Sequence, residues 1–204
     1  VRSHFGSSGV EGGRRGTGMH EVLQLGSFSW AATDDPLEGC TGTPDPRRCD
    51  QNRLFGGVVA SIFDFDGTLT ATPGDRAERK YKIAELTERA PLLEPWLRRL
   101  RDAGIVLGIM SKSSQATILA ALEAAGLNGL FEGPVMGRAV GFEGKAGLIE
   151  DLCLEGGSLA HLSPNGLCGV LLVDDDVREL ARAGERGIQT YAAPEDGGLQ
   201  DEDF

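Results

Sequence analysis

From residue 57 onward, apolar and polar positions alternate in short blocks. Gly57–Phe63 (GVVASIF) is a continuous apolar run of strand length, as expected for a strand covered on both faces. Pro91–Gly104 has a helical pattern, with proline near its start and glycine at its end. Ile105–Met110 (IVLGIM) is a second buried strand. Ser113–Gly126 carries apolar residues at helical spacing between a serine and a glycine, the residue types that begin and end helices. Gly144–Gly157 predicts another helix, Gly169–Val173 a third buried strand, Val177–Gly187 a helix and Ile188–Ala193 a last strand. Strands alternating with helices predict an α/β fold with a mostly parallel sheet covered on both faces.

The first 56 residues read differently. They are rich in Gly, Ser, Pro, Asp and Arg and predict an irregular N-terminal arm, leaving 57–204 as the folded domain. One island, Glu21–Trp30, alternates well enough for a strand or a segment docked on a protein partner, with Phe28 and Trp30 as anchors. The acidic tail, Glu195–Phe204, predicts a frayed terminus.

Composition narrows the class. The chain has 204 residues, 40% of them hydrophobic and 25% charged, as in ordinary globular domains. No apolar run approaches the length of a membrane-spanning helix. The 31 acidic residues outnumber the 20 basic ones, giving a net charge of -11. That balance argues against nucleic acid as a partner. The arm holds 6 basic and 7 acidic residues, so the domain carries nearly all of the excess. Four cysteines without a CxxC pair do not make a zinc site. Cys153 and Cys168 lie in apolar stretches and read as buried thiols, whereas Cys40 and Cys49 could pair only in an oxidising compartment. The chain begins at Val1, which reads as a fragment or a processed product. The compartment is left open between the cytoplasm and an organelle reached through a removed targeting segment.

In an open parallel sheet the site lies beyond the carboxyl ends of the strands. The residues there are Asp64-Phe65-Asp66-Gly67-Thr68-Leu69-Thr70, Ser111-Lys112-Ser113 and Asp174-Asp175-Asp176, while Lys145 opens a later helix. Carboxylates converging from two strands repel each other unless a cation joins them, and few hard oxygen ligands suit Mg²⁺. One chemistry uses all these groups. A carboxylate attacks phosphorus, and a second one two residues on protonates the leaving oxygen and then activates water. A hydroxyl and an ammonium hold the phosphoryl oxygens. Gly67 lets the backbone turn and approach phosphate. Lys112 could add charge to that site or lie on the surface. Gly74–Lys82 (GDRAERKYK) is locally basic, either a solvated helix face or an attraction for anionic substrates. His161 sits in a polar loop and reads as non-catalytic.

DFDGTLT, IVLGIMSKSS, GKAGLI and LLVDDD resemble, in order, the four motifs of the haloacid dehalogenase superfamily of phosphohydrolases, over residues 58–193. The resemblance implies a Rossmann-like three-layer sandwich, Mg²⁺ dependence and an aspartyl-phosphate intermediate. It implies Asp64 as nucleophile, Asp66 as general acid and base, Ser111 as phosphate ligand and Lys145 as stabiliser of the phosphoryl group. Asp64, the Asp66 carbonyl, Asp174 and Asp175 would hold the metal, and Asp176 would cap the following helix. Dehalogenases of the family lack the second aspartate of the first motif, so Asp66 points to phosphate chemistry. Forty residues separate Thr70 from Ser111, too few for an inserted cap domain once a helix is counted. The chain therefore resembles the capless branch, whose open site suits a phosphorylated macromolecule. The rival expectation is a domain of this fold acting as a structural or interaction subunit, with the arm docked on a partner.

Overall fold

A computed structural model of the chain describes residues 57–74, 77–154, 156–194 and 197–204. The arm of residues 1–56, with its Glu21–Trp30 island and with Cys40 and Cys49, lies outside the described residues. Five strands form one parallel sheet: β1 (Ala60–Phe63), β2 (Val106–Ser111), β3 (Val135–Gly137), β4 (Val170–Asp174) and β5 (Gln189–Ala192). Their spatial order is β3-β2-β1-β4-β5, with β1 at the centre. Phe63 pairs with Ile109 on one side and Val173 on the other, so β1, β2 and β4 end side by side.

Among the described residues, four α-helices flank the sheet: α1 (Arg79–Asp102), α2 (Gln115–Ala124), α3 (Gly144–Cys153) and α4 (Val177–Glu185). Alternation along the strands divides the core in two. Phe63, Leu107, Ile109, Leu171 and Val173 face Leu86, Leu93 and Leu97 of α1 and Ile118 and Leu122 of α2. Ile62, Met110, Val170 and Leu172 face Ile149 of α3 and Leu180 and Ala183 of α4. Burial on both faces is why these strands read as unbroken apolar runs. The fold is an α/β, Rossmann-like three-layer sandwich.

The helix expected over Pro91–Gly104 begins earlier, at Arg79, and runs through Pro91 and Pro95. Both prolines are exposed, while Leu86, Ala90, Leu93, Leu97 and Leu100 form a continuous buried stripe. Packing of that stripe offsets the backbone bonds that proline removes. Strand β3 is new, a three-residue edge with little apolar signal of its own. It is fixed by pairing with β2 and by close approach to α2: a Cβ on Gly137 would lie 2.0 Å from the Gln115 nitrogen. Two cysteine readings are corrected. Cys153 is only half-buried, in the last turn of α3, and Cys168 is exposed, just before β4.

The tail is docked rather than frayed. Arg89 donates to the carbonyls of Leu69 (2.9 Å), Gly197 (2.5 Å) and Leu199. Leu199 is buried, and its N–H bonds the Thr68 carbonyl at 3.0 Å. Trp96 stacks on Phe204 with ring centroids 5.5 Å apart. Acidic sequence hid this because the anchoring comes from backbone carbonyls gripped by one guanidinium. Arg89→Ala is expected to cost about 2 kcal/mol, since three carbonyls lose a charged donor. A thermal melt should fall by roughly 5 °C; an unchanged melting temperature would show that the tail contributes nothing. No helix among the described residues is long and apolar enough to cross a membrane.

Candidate active site

Strand β1 delivers Asp64 to the carboxyl edge of the sheet, where its N–H bonds the Val173 carbonyl at 2.8 Å. The backbone stays extended through Asp64 and then makes a wide turn over Phe65–Leu69, closed by the Thr70 N–H on the Phe65 carbonyl at 2.9 Å. Asp64 and Asp66 are thus two residues apart at the start of one turn. Gly67 takes φ +80°, and a Cβ there would lie 2.3 Å from Asp175 Oδ2. Glycine here lets the Asp175 carboxylate close over this turn.

At the end of β4, Asp174 is fully buried. Its Oδ1 accepts the Asp176 N–H at 2.9 Å, and its Oδ2 accepts Lys145 Nζ at 2.6 Å. Lys145, in the first turn of α3 and 2% exposed, also lies 2.7 Å from Asp64 Oδ1. That ion pair is what Asp64 Oδ1, itself buried, has for a partner. The Lys145 N–H is held by buried Glu179 of α4 at 2.8 Å. Asp64, Asp174 and Asp175 each offer a carboxylate oxygen within 4.8 Å of the others. Three carboxylates therefore face one ammonium.

The electrostatics follow from burial. Desolvation raises the Asp64 pKa from 3.8 to about 6, against the pull of Lys145 and with help from Asp174. Burial likewise raises Asp174, opposed by Lys145, and raises Asp175, reinforced by Asp64. Burial alone would weaken the Lys145 ammonium, but Asp64 and Asp174 outweigh it and raise its pKa. A cluster of converging carboxylates that disfavours its own negative charge has the chemistry of a cation site.

The remaining expected residues fall nearby. Ser111, at the end of β2 and fully buried, directs its hydroxyl at Asp66 Oδ2, 3.2 Å away. Asp176 caps α4 through the Arg178 N–H at 3.0 Å. Lys112 is exposed and pairs with Asp176 at 3.1 Å. His161 is exposed.

Two residues that sequence reasoning missed also converge here. Lys82 Nζ reaches Asp66 Oδ1, and Ser113 Oγ donates to Asp66 Oδ2 at 2.7 Å. Both had a signal. Lys82 sits four residues before Leu86, on the buried stripe of α1. Ser113 follows Ser111 by two residues, the spacing that returns a side chain to the same side of an extended chain.

No protein-family model matches the chain, and no curated protein matches it. Solved structures do. A haloacid dehalogenase-like family hydrolase of Streptococcus pneumoniae is 16% identical over 72% of this chain and 90% of its own, with a TM-score of 0.48. The N-terminal part of a Bacteroides fragilis protein, containing a phosphatase domain complexed with Mg, is 18% identical over 68% of this chain and 37% of its own, with a TM-score of 0.49. CbbY of Rhodobacter sphaeroides, in complex with phosphate, is 16% identical over 67% and 86%, with a TM-score of 0.46. At these identities the likeness is one of fold.

Proposed function

We propose that the protein is a Mg²⁺-dependent phosphomonoesterase that works through an aspartyl phosphate on Asp64, in an open site without a cap domain. The observation that carries this reading is the convergence of Asp64, Asp174 and Asp175 around buried Lys145, next to Asp66 and Ser111. The donor set fits a magnesium ion: the carboxylates of Asp64, Asp174 and Asp175, and the Asp66 carbonyl as the resemblance implies. Mg²⁺ held there would reduce the repulsion between an anionic nucleophile and an anionic phosphate.

The chain's own groups then do the following. An Asp64 carboxylate oxygen bonds to phosphorus as the bond to the leaving oxygen breaks, and Asp66 gives that oxygen a proton, releasing an alcohol. Water next attacks phosphorus, its proton passes to Asp66, and the bond to Asp64 breaks to release phosphate. Lys145 and Ser111 hold phosphoryl oxygens as charge moves across them. The connection between β1 and β2 is spanned largely by α1, and no inserted domain occurs among the described residues, which supports the capless reading and a bulky phosphorylated substrate.

Release of phosphate from p-nitrophenyl phosphate tests the proposal. Turnover that needs Mg²⁺ and disappears with a chelator is expected. A folded protein that neither turns over nor binds Mg²⁺ would overturn it.

The raised Asp64 pKa adds a pH prediction. Between about 4 and 6 the folded, metal-free protein holds this proton more tightly than the unfolded chain does. The contribution of Asp64 to stability is therefore full below the unfolded value and is lost as pH rises through about 6. Mg²⁺ competes with that proton. The rise in melting temperature on adding Mg²⁺ should be larger at pH 8 than at pH 5; an equal or reversed difference would contradict the placement of the ion beside Asp64.

A further inference from the structure

We infer that Lys82, assisted by Ser113, is the positioning residue that holds the Asp66 carboxylate in its working orientation. The inference rests on the phosphatase reading above. Lys82 lies in the first turn of α1 among exposed neighbours, yet it is 2% exposed itself. Burying an ammonium is costly unless every proton finds an acceptor. Here each does: Asp66 Oδ1, Ser113 Oγ at 2.7 Å and the Gly74 carbonyl at 3.2 Å. Nearby Lys80 stays at the surface, paired with Glu78 and lying over the Tyr81 ring, so the inward turn belongs to Lys82 and not to its neighbour.

Asp66 is pinned by three residues from two segments. Lys82 of α1 takes Oδ1 and Ser113, just beyond β2, takes Oδ2; Ser111 shares Oδ2 until a phosphoryl oxygen takes its hydroxyl. The carboxylate has no free rotation about its last bond while these donors are in place. The Gly74 bond ties the same ammonium to the loop that follows the Asp66 turn, so one side chain orients the carboxylate and fixes the loop beside it. This arrangement suits a group that must exchange a proton with two different oxygens, the leaving group and then water, from one position. Lys145 cannot substitute, since it is committed to Asp64 and Asp174.

A structural tie and a positioning role predict different kinetics. p-Nitrophenolate leaves without help from an acid, so a misaligned Asp66 hardly slows its departure. Hydrolysis of the aspartyl phosphate still needs the base. Lys82→Met should therefore release a burst of about one equivalent of p-nitrophenolate per chain, then turn over roughly 10²-fold more slowly than wild type. Phosphorylated Asp64 should accumulate and be visible by mass spectrometry. An alkyl phosphate, with a poor leaving group, should lose about tenfold more than p-nitrophenyl phosphate does. Ser113→Ala, a smaller change, should show the same pattern more weakly if Lys82→Met does not fold. Equal losses on both substrates with no burst in the variant that folds would overturn the positioning role while leaving the phosphatase reading intact. An inert wild type would overturn the phosphatase reading, and this inference with it.

Discussion

Asp64→Asn is expected to lower Mg²⁺-dependent phosphate release by about 10⁴-fold or more, the scale seen when a covalent nucleophile is removed. Asparagine keeps the shape of the side chain and cannot supply the attacking oxygen anion. The substitution also removes a charge from a buried cluster in which three carboxylates face one lysine. The metal-free variant should therefore melt at or above the wild-type temperature, because burial works against the ionised form of Asp64. Loss of activity with retained stability separates a chemical role from a structural one. The check is paired: phosphate release with and without Mg²⁺, and a thermal melt of each protein. A variant within tenfold of wild type would remove Asp64 from the mechanism.

Lys145→Met is expected to have the largest effect on stability. Its ammonium lies 2.6 Å from Asp174 and 2.7 Å from Asp64, and all three side chains are buried. Removing one partner of a buried ionic group leaves uncompensated charge, at a cost of about 3–5 kcal/mol. The metal-free variant should melt on the order of 10 °C lower at pH 8. Mg²⁺ should restore part of the loss, since a cation then faces the same carboxylates. Lowering the pH should also restore part of it, by neutralising Asp64. A loss under about 1 kcal/mol at pH 8 would mean that the three groups do not form the compact cluster described here.

The framework of this fold is written locally. The sequences of β1, β2 and β4 are apolar runs because each is covered on both faces, and glycine or proline bounds most of the elements between them. The first-motif turn, Ser111 and the Asp174–Asp175 pair lie together because β1, β2 and β4 end side by side, and Lys145 reaches them from the first turn of α3. What escaped was set by tertiary contact. Strand β3 has three residues and exists because β2 and α2 lie against it. The start of α1 was hidden behind Pro91 and Pro95, though its buried stripe runs past both. Lys82 read as part of a basic surface stretch because charge was weighed before helical position. The tail read as solvent-exposed because its acidic side chains conceal carbonyls that Arg89 binds. Cys168 read as buried from apolar sequence neighbours, although its side chain faces out before β4 begins.

The most direct test of the central claim is to trap the intermediate. Wild-type protein mixed with Mg²⁺ and a phosphomonoester is quenched in acid, reduced with borohydride and digested. The peptides are then read by mass spectrometry. An aspartyl phosphate at position 64 would be reduced to homoserine there, and that change is expected at Asp64 and at no other aspartate. Turnover with no modified Asp64, or with the change at Asp66, Asp174 or Asp175, would contradict it.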